Sequence, residues 1–215
     1  MQKRPQTLSE EYLNAGTHAI GVLFVLIAMP FLIINSFHTQ IYFLGIGMLV
    51  FAFGMLCSYS SSTLYHFYQN PIIKTKLKIF DHISIFLLIG GTYTPIVQKY
   101  TDFYTALIFL IVMWSLILGG AILKLFFTGK YKIVSTILYV MLGWMVVFIA
   151  QPLSLTMPLV IFYWILAGGL SYTIGAIFYL NDGKIHYGHA IWHCFVLFGS
   201  ITHFIAIYKS VGSGI

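Results

Sequence analysis

Seven runs of roughly 20 apolar residues, divided by short polar connections, constrain this chain more than any other feature. They cover 17–36, 41–65, 80–97, 103–123, 133–150, 158–180 and 189–208. A helix needs about 20 residues to cross a bilayer, so each run is long enough to span one. The connections carry turn chemistry: Asn70-Pro71, Thr128-Gly129-Lys130, Gln151-Pro152 through Pro158, and Asn181-Asp182-Gly183. The expected fold is all-α, a seven-transmembrane helix bundle forming a single integral membrane domain over 1–215. Composition excludes the alternatives. Only 7% of residues are charged and 60% are hydrophobic, with a mean hydropathy of +0.92. A soluble domain carries about 25% charged residues, so a soluble enzyme, a disordered chain and a disulfide scaffold all fail. Cys57 and Cys194 fall inside apolar runs and read as buried thiols. No cleavable signal peptide is expected, because Glu10 and Glu11 precede the first run and no small-x-small site follows it.

The formal net charge of +6 does not indicate nucleic acid, since the basic residues are scattered among loops. Their distribution instead sets a direction. Lys3, Arg4, Lys74, Lys76, Lys78, Lys124, Lys130, Lys132 and Lys184 fall on one side of the expected bundle, against Lys99 and Lys209 on the other. Positive residues favour the cytoplasm, which puts the N-terminus inside and the C-terminus outside.

Ionisable groups within membrane spans are costly and usually functional. His66 ends the second run on the cytoplasmic side, Asp81 starts the third there, and His189 and His193 start the seventh. Glu11, Asn14 and His18 lie at the same end of the first. His189 and His193 are four apart and share a helical face. With His66 they can supply three nitrogen ligands and leave a fourth position for water, the arrangement of a catalytic zinc site. Ser62 lies one turn before His66, and Asp81 can approach from the next helix. His-Ala-Ile-Trp-His lacks the glutamate of a soluble metalloprotease helix, so any carboxylate must come from elsewhere. Spacing alone leaves a plainer reading open: interfacial histidines hydrogen-bonded to their neighbours.

These residues resemble a known family. Glu11-Tyr-Leu-Asn14-Ala-Gly-Thr17-His18-Ala-Ile-Gly21 is similar to the opening of the hemolysin III proteins, bacterial relatives of the progestin and adipoQ receptor family that includes the adiponectin receptors. Ser62-Thr-Leu-Tyr-His66 resembles that family's Ser-x-x-x-His. Asp81-His82 with Gly90-Gly91-Thr92-Tyr93-Thr94-Pro95 resembles its third-span signature. His189-Ala-Ile-Trp-His193, continuing through Gly199-Ser200 and His203-Phe204, resembles its seventh. The resemblance implies seven helices in a bacterial plasma membrane, with a Zn2+ ion near the cytoplasmic face. It implies His66, His189 and His193 as ligands, Asp81 reaching the metal through water, and Ser62 beside it. The family's comparison with alkaline ceramidases implies hydrolysis of a lipid amide.

Each residue also has a plainer role. Asp81 reads as a helix-start cap, and Ser62 as a packing residue among Ser58, Ser60 and Ser61. Glu11, Asn14 and His18 recur at three and four residues and are expected to order the first span beside the site. His82 should point about 100° away from Asp81 and be structural. His186, three residues before His189, reads as a solvated loop residue, with a loop ligand or proton relay as the alternative. His203, roughly 15 Å along the helix from His193, is too distant to share a metal, and His38 is an outer-loop residue without a nameable partner. Gly90-Gly91 and Pro95 should loosen or kink the third span, or allow close helix contact. Trp164 and Trp192 read as interface anchors or packing.

Three functions fit, all with membrane lipids as partners. The first is a zinc-dependent hydrolase of a lipid amide or ester, with Asp81 as general base and Ser62 helping to stabilise an oxyanion. The second is a lipid-state sensor in which zinc is structural. The third, a pore-forming cytolysin, lacks a continuous polar stripe, because the fourth to sixth runs have no ionisable residue in their interiors.

Overall fold

The computed structural model describes residues 4–37 and 43–212, and His38 and Lys3 lie outside them. Every regular element among the described residues is helical. Helix α1 (Leu8–Ser36) starts at a capping box: the Glu10 amide donates to Thr7 Oγ1 at 3.3 Å, and the Thr7 amide donates to Glu10 Oε2 at 2.9 Å. Helix α2 (Leu44–Phe67) stops before Tyr68-Gln69-Asn70. Asn70 then caps α3 (Pro71–Tyr100) by accepting the Ile72 and Ile73 amides, with Pro71 in the first helical position, where its missing N–H costs nothing. The third helix therefore begins well before the apolar run at 80. Asp81 lies inside it and does not cap it, which overturns the cap reading. Pro95 lies inside α3, which runs on to Tyr100.

Helix α4 (Phe103–Phe127) is capped by Asp102. The next rod, Lys132–Thr156, is not one helix: α5 (Lys132–Gly143) passes into a 3-10 turn (Met145–Ile149) and then α6 (Ala150–Thr156). The phenol of Tyr93 fills the break. It donates to the Gly143 carbonyl at 2.6 Å and accepts the Val146 amide at 2.9 Å. Backbone groups freed in a low-dielectric interior need such partners. Helices α7 (Leu159–Leu180) and α8 (Gly188–Gly212) complete the chain.

Six helical segments are long and apolar enough to cross a membrane: α1, α2, α4, the rod Lys132–Thr156, α7 and α8. Helix α3 is not one of them; its first half carries Lys74, Lys76, Lys78, Asp81 and His82. Apolar side chains cover the outside of the bundle as well as filling its core. Leu23, Ile27 and Phe31 are exposed, whereas Asn14, His18, Ser62 and His66 are buried. Such a surface suits hydrocarbon, and the chain is a multi-pass integral membrane protein.

Helices α1, α2, α3, α5, α7 and α8 form a closed ring of neighbours, with α4 packed on α3. Backbones touch where α2 meets α3. A Cβ on Gly91 would sit 2.9 Å from the Val50 carbonyl oxygen, and one on Gly54 would sit 3.0 Å from the Leu87 carbonyl carbon. Small residues permit this approach in membranes, in keeping with the close-contact reading of Gly90-Gly91. The ring encloses a mainly apolar cavity of about 480 Å³, reaching from His18 and Asp81 to Met157.

Candidate metal centre

Helix geometry delivers the three histidines. His66 lies in the last turn of α2, and His189 and His193 lie one turn apart at the start of α8. Their ring centroids form a near-equilateral triangle: 4.8 Å for His66–His189, 5.1 Å for His66–His193 and 4.7 Å for His189–His193. One ligand nitrogen from each lies within 4.8 Å of the other two. His66 and His193 are fully buried.

The outer nitrogens explain why the rings face inward. His66 Nδ1 donates to Glu11 Oε2 at 2.7 Å, and Lys74 Nζ holds the same oxygen at 2.8 Å. His189 Nδ1 donates to Asp182 Oδ2 at 3.2 Å, and Lys132 Nζ holds the other oxygen at 2.7 Å. His193 Nδ1 faces the Asn14 carbonyl and Thr17 Oγ1, each at 3.1 Å. An acceptor at Nδ1 fixes the proton there and leaves the lone pair on Nε2. All three Nε2 atoms are buried without a hydrogen-bond partner. One such group costs about 1–3 kcal/mol, so three facing one point need a common ligand. Neutral imidazoles with carboxylate or carbonyl partners behind them are a metal-binding donor set. The three histidines fit a metal ion.

Loop electrostatics reinforce one corner. Burial would raise the Asp182 carboxyl, but hydrogen bonds from His189 and Lys132 outweigh it and hold the group at about 2. Lys132 also donates to the Tyr179 carbonyl and lies 4.0 Å over the Tyr179 ring.

Asp81 stands outside the ligand set, buried on α3, with Oδ2 3.5 Å from His82 Nδ1. It lines both the apolar cavity and a second, polar one of about 290 Å³ that also touches His66 and His189. Ser62, one turn before His66, is buried with its Oγ unpartnered. His82 donates to the Lys78 carbonyl at 2.8 Å, a structural contact. His18 stacks on His193 at 3.6 Å, so with Glu11 and Asn14 it orders α1 beside the site. His203 donates to the Gly199 carbonyl at 2.7 Å, and His186 is exposed 3.7 Å from Glu10; neither joins the cluster. Asp182, Lys74 and Lys132 support the histidines, yet their sequence signal was only turn composition and loop charge; Thr17, which also touches His193, stood in the opening motif without an assigned role.

No solved structure matches the chain. It is 38% identical over 201 residues to the Hemolysin-3 homolog of Bacillus subtilis (strain 168), with 94% of each chain covered. It is 35% identical over 207 residues to Hemolysin-3 of Bacillus cereus, covering 96% of this chain and 94% of that one. The human monocyte to macrophage differentiation factor is 27% identical over 165 residues, covering 74% and 68% respectively. The family described as Haemolysin-III related matches residues 6–204, and with this near-complete coverage the chain belongs to the hemolysin III family.

Proposed function

We propose that this is a seven-pass, zinc-dependent hydrolase acting on an acyl lipid (amide or ester) from within the membrane. The reading rests on one observation: three unpartnered imidazole nitrogens converge, and the buried carboxylate of Asp81 lines both the polar cavity that His66 and His189 reach and the apolar cavity next to it. His66, His189 and His193 would hold zinc, which supplies a Lewis acid with an open coordination position. The cavity of about 480 Å³ has the size of a ligand pocket and a lining suited to acyl chains. Asp81 accepts a proton from the attacking water, and the free Ser62 Oγ donates to developing negative charge on the carbonyl oxygen.

Helix α3 is taken as the seventh crossing, because its 30 residues extend about 45 Å. The described basic residues Arg4, Lys74, Lys76, Lys78, Lys124, Lys130, Lys132 and Lys184 favour a cytoplasmic N-terminus.

Purified protein incubated with a panel of ceramides and other acyl lipids tests the reading. Turnover should need zinc and fall at least 100-fold in Asp81→Asn, with metal content retained. No zinc-dependent turnover across the panel would count against it.

A second reading has a specific observation behind it. The histidines tie α2 and α8 to α1 through Glu11 and Asn14, as a structural zinc in a lipid-state sensor would. Asp81 would then be dispensable. The lipid profile of a deletion strain complemented with Asp81→Ala separates the two.

A further inference from the structure

Beside the histidines, Lys78, Lys124, Lys130 and Lys132 gather around the polar vestibule of about 290 Å³. They come from α3, α4, the turn after α4 and the first residue of α5. Lys124 is the telling member. It is 6% exposed, and its Nζ donates to Ser135 Oγ at 2.5 Å. Lys78 Nζ lies against Gly129 in the α4–α5 turn, close enough that a Cβ there would stand 3.0 Å away. Neither Lys78, Lys124 nor Lys130 has a carboxylate within salt-bridge distance among the described residues.

Among the described residues, no acidic side chain pairs with these three lysines. Of the chain's five carboxylates, Glu10 is held by Arg4, and Asp102 caps α4. The other three share the vestibule wall: Glu11 is paired with His66 and Lys74, Asp182 with His189 and Lys132, and Asp81 lies 3.5 Å from His82 and within salt-bridge distance of no lysine among the described residues. Burying an ammonium next to like charges is costly unless an anion compensates it.

We propose that this vestibule binds a phosphate group, with Lys78, Lys124 and Lys130 as its cationic ligands and an anionic membrane lipid as the principal source. A lysine ammonium is a suitable point charge for phosphate. The vestibule shares Asp81, Tyr179 and Trp192 with the apolar cavity. A lipid seated there places its headgroup among the lysines and an acyl chain between the helices. This site does not depend on the hydrolase reading, since it requires binding alone.

The full chain, purified in neutral detergent, is incubated with equal amounts of phosphatidic acid and phosphatidylcholine, and retained lipid is counted by native mass spectrometry. A parallel arm substitutes inorganic phosphate. One phosphatidic acid per chain should be retained, in at least tenfold excess over phosphatidylcholine. Lys78→Gln and Lys124→Met should each reduce it at least tenfold, while Lys76→Gln, an exposed lysine outside the vestibule, should leave it unchanged. Retention of inorganic phosphate without the lipid would support the phosphate site and assign it to the free ion. Retention of neither, or an equal loss in Lys76→Gln, would overturn the proposal.

Discussion

Glu11 Oε2 lies 2.7 Å from His66 Nδ1 and 2.8 Å from Lys74 Nζ, so one carboxylate oxygen from α1 orients a histidine on α2 while a lysine on α3 neutralises it. The contact fixes the His66 proton on Nδ1 and turns the Nε2 lone pair towards His189 and His193. Asp182 and Lys132 repeat the device at His189.

Removing the charge behind a ligand should loosen the metal without abolishing it. Glu11→Gln and Asp182→Asn should each lower zinc affinity about 10–100-fold, read by competition with a chromogenic chelator. Unchanged affinity in both would show that the carboxylates do not tune the ligands.

The Asp182 contact also carries a pH signature. Its carboxyl titrates near 2 when folded, against about 3.9 when unfolded. The unfolded state therefore binds the proton more readily, and the stabilisation is complete above about pH 4 and lost as pH falls towards 2. Solvent screening of this half-buried loop limits the effect to about 1 kcal/mol. In thermal melts, the gap between wild type and Asp182→Asn should be present at neutral pH and close below about pH 4. A gap that widened in acid would contradict the assignment.

Close packing of α2 on α3 makes Gly91 intolerant of even one methyl. Gly91→Ala should cost about 1–3 kcal/mol, because its Cβ would press on the Val50 carbonyl. Gly16→Ala, where a Cβ meets nothing within 4 Å, should be neutral or stabilise by up to about 1 kcal/mol. Unfolding in detergent compares the two.

Tyr93→Phe strips the hydroxyl that serves both the Gly143 carbonyl and the Val146 amide. It should destabilise the protein by about 1–3 kcal/mol while metal content stays at the wild-type level. Loss of metal in Tyr93→Phe would mean that the α5 break is coupled to the histidines.

The histidine cluster was legible in the sequence because α-helical spacing and span direction place His66, His189 and His193 at one depth. Helix starts were less so: hydropathy locates the apolar part of α3, but Asn70 and Pro71 start the helix in polar sequence. The break at Trp144 was invisible, since the residue that stabilises it, Tyr93, belongs to another helix. Asp182 was legible only as a turn residue. Its role depends on the fold bringing a loop carboxylate to a ring on α8, a contact with no sequence period.

Three imidazoles binding one ion leave a direct signature in X-ray absorption at the zinc edge. Wild-type protein should contain one zinc per chain with three imidazole nitrogens at about 2.0–2.1 Å, and His66→Ala and His193→Ala should each lose the metal. Zinc-free wild-type protein after zinc loading, or full zinc content in His66→Ala, would contradict the three-histidine site.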